Sequence, residues 1–337
     1  MPKPAKRPSQ SVNSRSKCLF APVFPFDPSQ KKKMPQLSRQ ADGFAPLPSD
    51  WVAEFEVFPS ADGKEQLFAY QLRQRDAKLP TGRALVVLHG QGEHGGRYLH
   101  WPHYLKDTVS AIYILEHRGH GHSTGGRGHV DYFDQYADDA AFAIERYHKY
   151  LVERFEDVEL HLLGHSMGGL ISLRTVLEHK NLPIKTLAVS NPMIELAFPV
   201  PPLKLLAGRL MHKILPSVPM ASPSLWDKVS SDPSVASHYK NDALNHSYTS
   251  PAFFFSYLEA KDDLLKRCSE ITLPVMVQSG LDDRIISPDS IKDLFEKLTG
   301  SKSRSFKAYK DLFHEIYNEP QRASVFADLS DWIANTK

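Results

Sequence analysis

The stretch at residues 158–170, VELHLLGHSMGGL, constrains this chain more than any other. Its first six residues are a mostly apolar run, with Glu159 near its start and His161 inside it, the pattern of a buried strand. A helical pattern through Leu170, Leu173 and Val176 follows the segment Gly164-His165-Ser166-Met167-Gly168-Gly169. A strand that becomes a helix at a single serine leaves no room for side chains beside the turn. Gly164, Gly168 and Gly169 are therefore expected for steric reasons, around a strained serine backbone. Such a turn lifts the Ser166 hydroxyl above the sheet edge. It also puts the Met167 N–H at a helix start, where it can donate to a developing oxyanion. An incidental glycine-rich turn is the duller reading, and the strand before and helix after weigh against it.

The flanking sequence supplies a sheet for that turn. Residues 52–58 and 67–72 alternate apolar and polar around Ser60-Ala61-Asp62-Gly63, which reads as an antiparallel hairpin at a sheet edge. Apolar runs at 84–88, 111–115, 184–189 and 275–278 read as buried strands, with a short final strand at 305–309. Helices are expected over 98–105, 136–155 and 252–267. Strands alternating with helices imply an α/β fold, a mostly parallel twisted sheet with helices on both faces. The rhythm stops at about 191–250, which is proline-rich, has no clear strand and holds one helix-like apolar piece at 203–211. An insertion of that size is expected to act as a lid (cap) or a binding surface.

Composition narrows the classes. The chain has 337 residues, 41% hydrophobic and 24% charged, and a net charge of +2, which fits a globular protein and gives no argument for nucleic acid. The charge is uneven. Residues 1–33 hold eight basic groups against Asp27 alone, leaving 33 basic and 38 acidic residues in the rest. A basic, Pro-rich, disordered tail over 1–45 and one domain over 46–337 are expected. The run Cys18 to Phe26 in the tail could be an address, but prolines break it, and a start at Met34 would omit it. With two cysteines, Cys18 and Cys268, there is no disulfide framework or metal cluster. No apolar run reaches 18 residues, so a cytoplasmic protein is expected, with peripheral membrane contact through lid or tail.

A serine hydroxyl needs a base within hydrogen-bond reach and a carboxylate to hold that base. Just beyond the 275–278 strand lie Asp282 and Asp283, and just beyond the 305–309 strand lies His314, so Ser166, Asp283 and His314 all fall at carboxyl ends of strands. Spacing from Gly280 favours Asp283, with Asp282 as the alternative. The second oxyanion donor should come from the loop after residue 88, where the Gln91 N–H is best placed. His89, His94, His117, His120 and His122 lie in glycine-rich loops without metal-ligand spacing, which favours structural histidines bonded to nearby backbone.

Together HGQGEHGGRY, EHRGHGHS, GHSMGG, GLDDR and FHE resemble the α/β-hydrolase family, specifically its monoacylglycerol lipase and lysophospholipase branch, from about residue 52 to the C-terminus. The resemblance implies Ser166 as nucleophile, Asp283 and His314 as acid and base, and Gln91 and Met167 as oxyanion-hole amides. It implies Glu93 and Arg97 as substrate-binding residues at the polar end of the pocket, although four residues apart they could be a plain ion pair. It implies a lid over an acyl channel that dips into a lipid surface. The chain departs from the branch at Gln91, where a small residue is usual, at Glu116, where Asp is common, and at Tyr317, where a second histidine is frequent.

The expected activity is a serine esterase or lipase acting on a single-chain lipid ester, monoacylglycerol first and lysophospholipid second, without cofactor or metal. A short-chain carboxylesterase or thioesterase, and a non-catalytic binding module, are the alternatives.

Overall fold

Alternation at the start of the body builds the sheet edge. In a computed structural model describing residues 47–75, 79–222 and 225–336, β1 (Trp51–Pro59) pairs antiparallel with β2 (Gln66–Gln74), Phe55 opposite Tyr70. The expected tail, with Cys18 and Met34, lies outside the described residues.

The apolar runs become β3 (Arg83–Leu88), β4 (Ala111–Glu116), β5 (Glu159–His165), β6 (Thr186–Ser190) and β9 (Val275–Gly280). With β10 (Arg304–Tyr309) they complete an eight-stranded sheet in the order β1-β2-β4-β3-β5-β6-β9-β10. The β1–β2 and β2–β4 pairs are antiparallel and the rest parallel. Both faces of the sheet are buried, which is why the parallel strands read as continuous apolar runs. Along β3, Val86 and Leu88 enter one core and Leu85 and Val87 the other.

Helices α2 (Asp134–Val152), α3 (Met167–Glu178), α6 (Pro251–Arg267) and α7 (Pro288–Lys297) cover the first face. The one-turn α1 (Pro102–Leu105) and α8 (Arg322–Asn335) cover the second. The helix expected over 98–105 is split, with a 3-10 turn at Gly95–Tyr98 before α1. Pro102 has no N–H to give to residue 98, so helical bonding restarts with proline in the first position.

Between β6 and α6 the chain leaves the sheet. The insertion contains α4 (Pro202–Ile214), α5 (Pro233–Asn241) and a two-residue ladder of β7 (Met220–Ala221) with β8 (Tyr248–Thr249). The chain rejoins the body at Ser250, whose hydroxyl caps α6 by accepting from the Phe253 N–H at 3.2 Å.

Candidate active site

The turn from β5 into α3 is as tight as its glycines imply. A Cβ on Gly164 would stand 2.1 Å from the Gly168 carbonyl oxygen, and one on Gly168 would stand 2.1 Å from that of Leu88. Ser166 sits at φ 53° and ψ −117°, a strained position for a residue with a side chain. The geometry is maintained by its surroundings: the Ser166 N–H donates to the Ser190 carbonyl at 2.9 Å and the Ser166 carbonyl accepts from the Met193 N–H at 2.9 Å. Met167 is the first residue of α3, so its N–H has no partner within the helix.

His314 Nδ1 lies 2.7 Å from Asp283 Oδ2, both groups buried. The other oxygen of Asp283 accepts from the Ile285 and Ile286 N–H groups at 2.7 and 3.0 Å, which fixes the carboxylate. Asp282 is exposed and makes no such contact, so of the two acids only Asp283 meets the imidazole. Burial opposes a charged imidazolium, but the Asp283 carboxylate, with Glu315 and Glu93 behind it, outweighs burial and raises the His314 pKa. Ser166 and His314 line one cavity of about 860 Å³. A serine on a strained turn beside an imidazole anchored by a carboxylate can form and release a covalent ester.

Glu93 and Arg97 do form an ion pair, Oε2 to Nε at 2.9 Å, and it belongs to a larger buried group at the polar end of that cavity. The other Glu93 oxygen accepts from the Gly90 N–H at 2.6 Å and the Tyr98 hydroxyl at 2.7 Å. Arg97 also binds Glu315, and its guanidinium lies 4.6 Å from the centre of the Tyr239 ring. One cation thus serves two carboxylates. Burial raises both carboxyl pKa values; at Glu93 the charge of Arg97 prevails and the net shift is down, while Glu315, beside an already ionised Glu93, stays shifted up.

Several functional neighbours were not found from the sequence. Asn191, just after β6 with φ 42°, accepts from the Gly280 N–H at 2.9 Å and donates to the His314 carbonyl, so one side chain ties the loops that carry Asp283 and His314. The His165 ring centre lies 4.8 Å from that of His314, and burial together with that neighbour depresses its pKa to about 3, which keeps it uncharged. Glu315 stands next to His314 in the FHE segment, and its contacts with Arg97 and with the Asn318 amide, at 2.8 Å, mark it. Tyr317, at the place of the branch's second histidine, gives its hydroxyl to Gln278 and packs on Trp101 and Phe326, in the core and not at the cavity. Glu116 is buried and accepts from the Gly95 N–H at 3.1 Å.

The loop histidines bond mostly to backbone, His89 Nδ1 to the Gly90 carbonyl at 2.8 Å and His120 Nδ1 to that of Arg118 at 3.0 Å. His94 differs. Its Nδ1 accepts from the Gly96 N–H at 3.1 Å and lies 3.8 Å from Glu116, while its Nε2 lies 2.9 Å from Asp242 of the insertion. Burial would lower its pKa, but these two carboxylates more than compensate and hold it at about 9. Among the described residues no group of three or more His, Cys, Asp or Glu is arranged to hold a metal ion.

Away from the polar end the cavity is apolar, walled by Phe198, Met211, Leu225, Phe253, Phe254 and Tyr257.

Residues 80–321 match the family described as serine aminopeptidase, S33. The chain is 29% identical over 255 residues to the monoacylglycerol lipase of Mycolicibacterium smegmatis, covering 75% of this chain and 89% of that protein. It is 26% identical over 243 residues to a phospholipase of Bacillus subtilis, covering 72% and 91%. The structure superposes with a TM-score of 0.74 on a soluble variant of the monoglyceride lipase of Saccharomyces cerevisiae, in complex with a substrate analog. That match covers 88% of this chain and 98% of the yeast one at 20% identity, which speaks to the fold.

Proposed function

The chain belongs to the serine aminopeptidase S33 family of α/β-hydrolases, and from that membership we propose that it is a carboxylic ester hydrolase cleaving single-chain lipid esters, monoacylglycerol first. The observation that carries this reading is the cavity. An apolar limb walled by Phe198, Met211, Leu225, Phe253, Phe254 and Tyr257 meets a polar end at Ser166 and His314, the outline of an amphiphile with one tail.

In this reading His314 takes the Ser166 proton as Oγ attacks the ester carbon, and Asp283 steadies the imidazolium. The oxyanion is received by the Gln91 and Met167 N–H groups. His314 then returns the proton to the glycerol oxygen as it leaves, and water hydrolyses the acyl-enzyme by the same steps in reverse order. Glu93 and Glu315, both paired to Arg97, wall the space for the leaving group. Two carboxylates around one guanidinium accept hydroxyl donors and repel a phosphate, which favours a glycerol ester over a lysophospholipid. Each additional CH2 in the apolar limb contributes about 0.8 kcal/mol of burial, so medium and long acyl chains are preferred.

Contact with a lipid surface is part of the same proposal. Leu203, Leu206, Leu210 and Ile214 recur at helical spacing on α4 and are 59–77% exposed. No helix among the described residues is long and apolar enough to cross a membrane, so the contact proposed is peripheral.

The test is fatty-acid release from chain-matched monoacylglycerol and lysophosphatidylcholine, with Ser166→Ala as control. Faster release from the glycerol ester, abolished in the variant, is expected. Faster release from the lysophospholipid would transfer the protein to that class. Release unaffected by Ser166→Ala would overturn the serine mechanism.

A further inference from the structure

Gln91 departs from the small residue usual in the branch, and its side chain has a specific partner. Its Nε2 donates to the Tyr248 carbonyl at 3.2 Å, a contact across 157 positions that joins the loop after β3 to β8 of the insertion. The reverse amide orientation would set carbonyl against carbonyl, so the donor must face Tyr248. In that orientation Gln91 Oε1 is buried and has no partner among the described residues. A buried orphan acceptor is costly, and it is retained on a side chain that bridges loop and insertion. The adjacent residue makes a second link. The His246 N–H donates to the Gly92 carbonyl at 2.9 Å, and Gly92, at φ 73°, could not carry a Cβ, which would stand 2.2 Å from the His246 oxygen. Next come His94 to Asp242 at 2.9 Å and Arg97 over Tyr239. Loop 91–97 thus makes four contacts with residues 239–248, and it is the loop that presents the Gln91 N–H.

We propose that the Gln91 side chain is a positioning group. By holding Tyr248 it fixes the turn that aims its own main-chain N–H at the oxyanion, so that docking of residues 239–248 governs turnover and not only substrate binding. The inference rests on the functional reading above. It separates two roles of an insertion that would otherwise be treated as a cover: a flexible cover changes access, whereas a splint on the oxyanion loop changes the chemical step.

The experiment compares wild type with Gln91→Ala and Gln91→Met on p-nitrophenyl butanoate, a soluble ester too short to need the acyl limb, alongside affinity for an alkyl trifluoromethyl ketone, whose adduct carries an oxyanion. Both variants keep the backbone N–H and lose the side-chain donor. The expected result is kcat lower by roughly tenfold in each, with KM within about twofold and ketone affinity reduced by the same factor as kcat. Wild-type kcat in Gln91→Met would mean that the side chain acts by filling space, and a loss confined to KM would mean that it acts on binding; either overturns the proposal. Should Gln91→Met unfold, Gln91→Glu, of equal size and without an amide donor, carries the same expectation. A wild type that cleaves no ester overturns the functional reading and this inference with it, whereas an active wild type with unchanged variants overturns only the inference.

Discussion

The two halves of the insertion differ in how they are held. The first half, α4, turns leucines outward and meets the body mainly through α6, where the His212 ring faces Phe255 at 5.4 Å. The second half, from about residue 226 to 250, is tied to the body throughout. The Glu315 N–H donates to the Val229 carbonyl at 2.7 Å, the Ser231 N–H to Glu319 at 2.9 Å, and the Ser250 N–H to the Gly128 carbonyl at 2.8 Å, besides the four contacts with loop 91–97. Apolar surface left in water invites a partner that removes it. Polar atoms paired across two segments hold the segments in register. In the function proposed above, the first half meets a lipid surface and the second is part of the site.

The largest test of that contrast is Arg97→Ala. It leaves Glu93 and Glu315 facing each other in a buried place, which should destabilise the protein by about 3–5 kcal/mol. Thermal unfolding should show a fall in Tm on the order of 10 °C, and turnover of soluble and aggregated esters should fall together. A variant with native Tm would mean that the polar end is wet and the second half of the insertion loosely seated.

A smaller effect should come from pH. The His94 pKa is raised to about 9 by Asp242 and Glu116, above the unfolded value near 6.5. Its stabilising charge is therefore complete below about pH 6.5 and is lost as pH rises through about 9. Amide hydrogen exchange, corrected for intrinsic rates, should accelerate over residues 239–248 between pH 7 and 10 and not over α4. Equal acceleration in both would erase the distinction, and in His94→Asn the selective acceleration should be gone.

The smallest effect, and the most selective, belongs to the first half. Leu206→Ser with Leu210→Ser should leave turnover of p-nitrophenyl butanoate unchanged. It should weaken sedimentation with phosphatidylcholine vesicles by roughly tenfold, since two leucine side chains carry a few kcal/mol of apolar burial of which interfacial insertion realises part. Loss on the soluble ester would assign α4 to the catalytic wall instead.

What was readable in the sequence was local. The turn at Ser166 announces itself within thirteen residues because sterics alone demand its glycines, and the buried strands announce themselves because both faces of the sheet are covered. The short α5 was missed because its nine residues are mostly polar and bury only Val235 and Ala236, too few for a helical period to show. Helices α7 and α8 passed unread although Ile291 with Leu294, and Val325 with Leu329 and Ile333, repeat at helical spacing. The helix expected at 98–105 failed on one imino acid. The polar pairings of the site were unreadable for a different reason. Gln91 meets Tyr248 across 157 positions and His94 meets Asp242 across 148, and neither pair has a periodicity or spacing to betray it. Asn191 was hidden likewise, since its value lies in two loops that only the sheet order brings beside it.

The contacts between loop 91–97 and residues 239–248 also bear on how such a chain can be altered by recombination. An insertion that leaves the sheet after β6 and returns at Ser250 looks like a cassette that could be exchanged between relatives. Here a donor cassette would arrive without the partners that Gln91, Gly92, His94 and Arg97 require, and the exchange would misalign a loop more than a hundred residues upstream. The two segments are one unit of inheritance, written in two places.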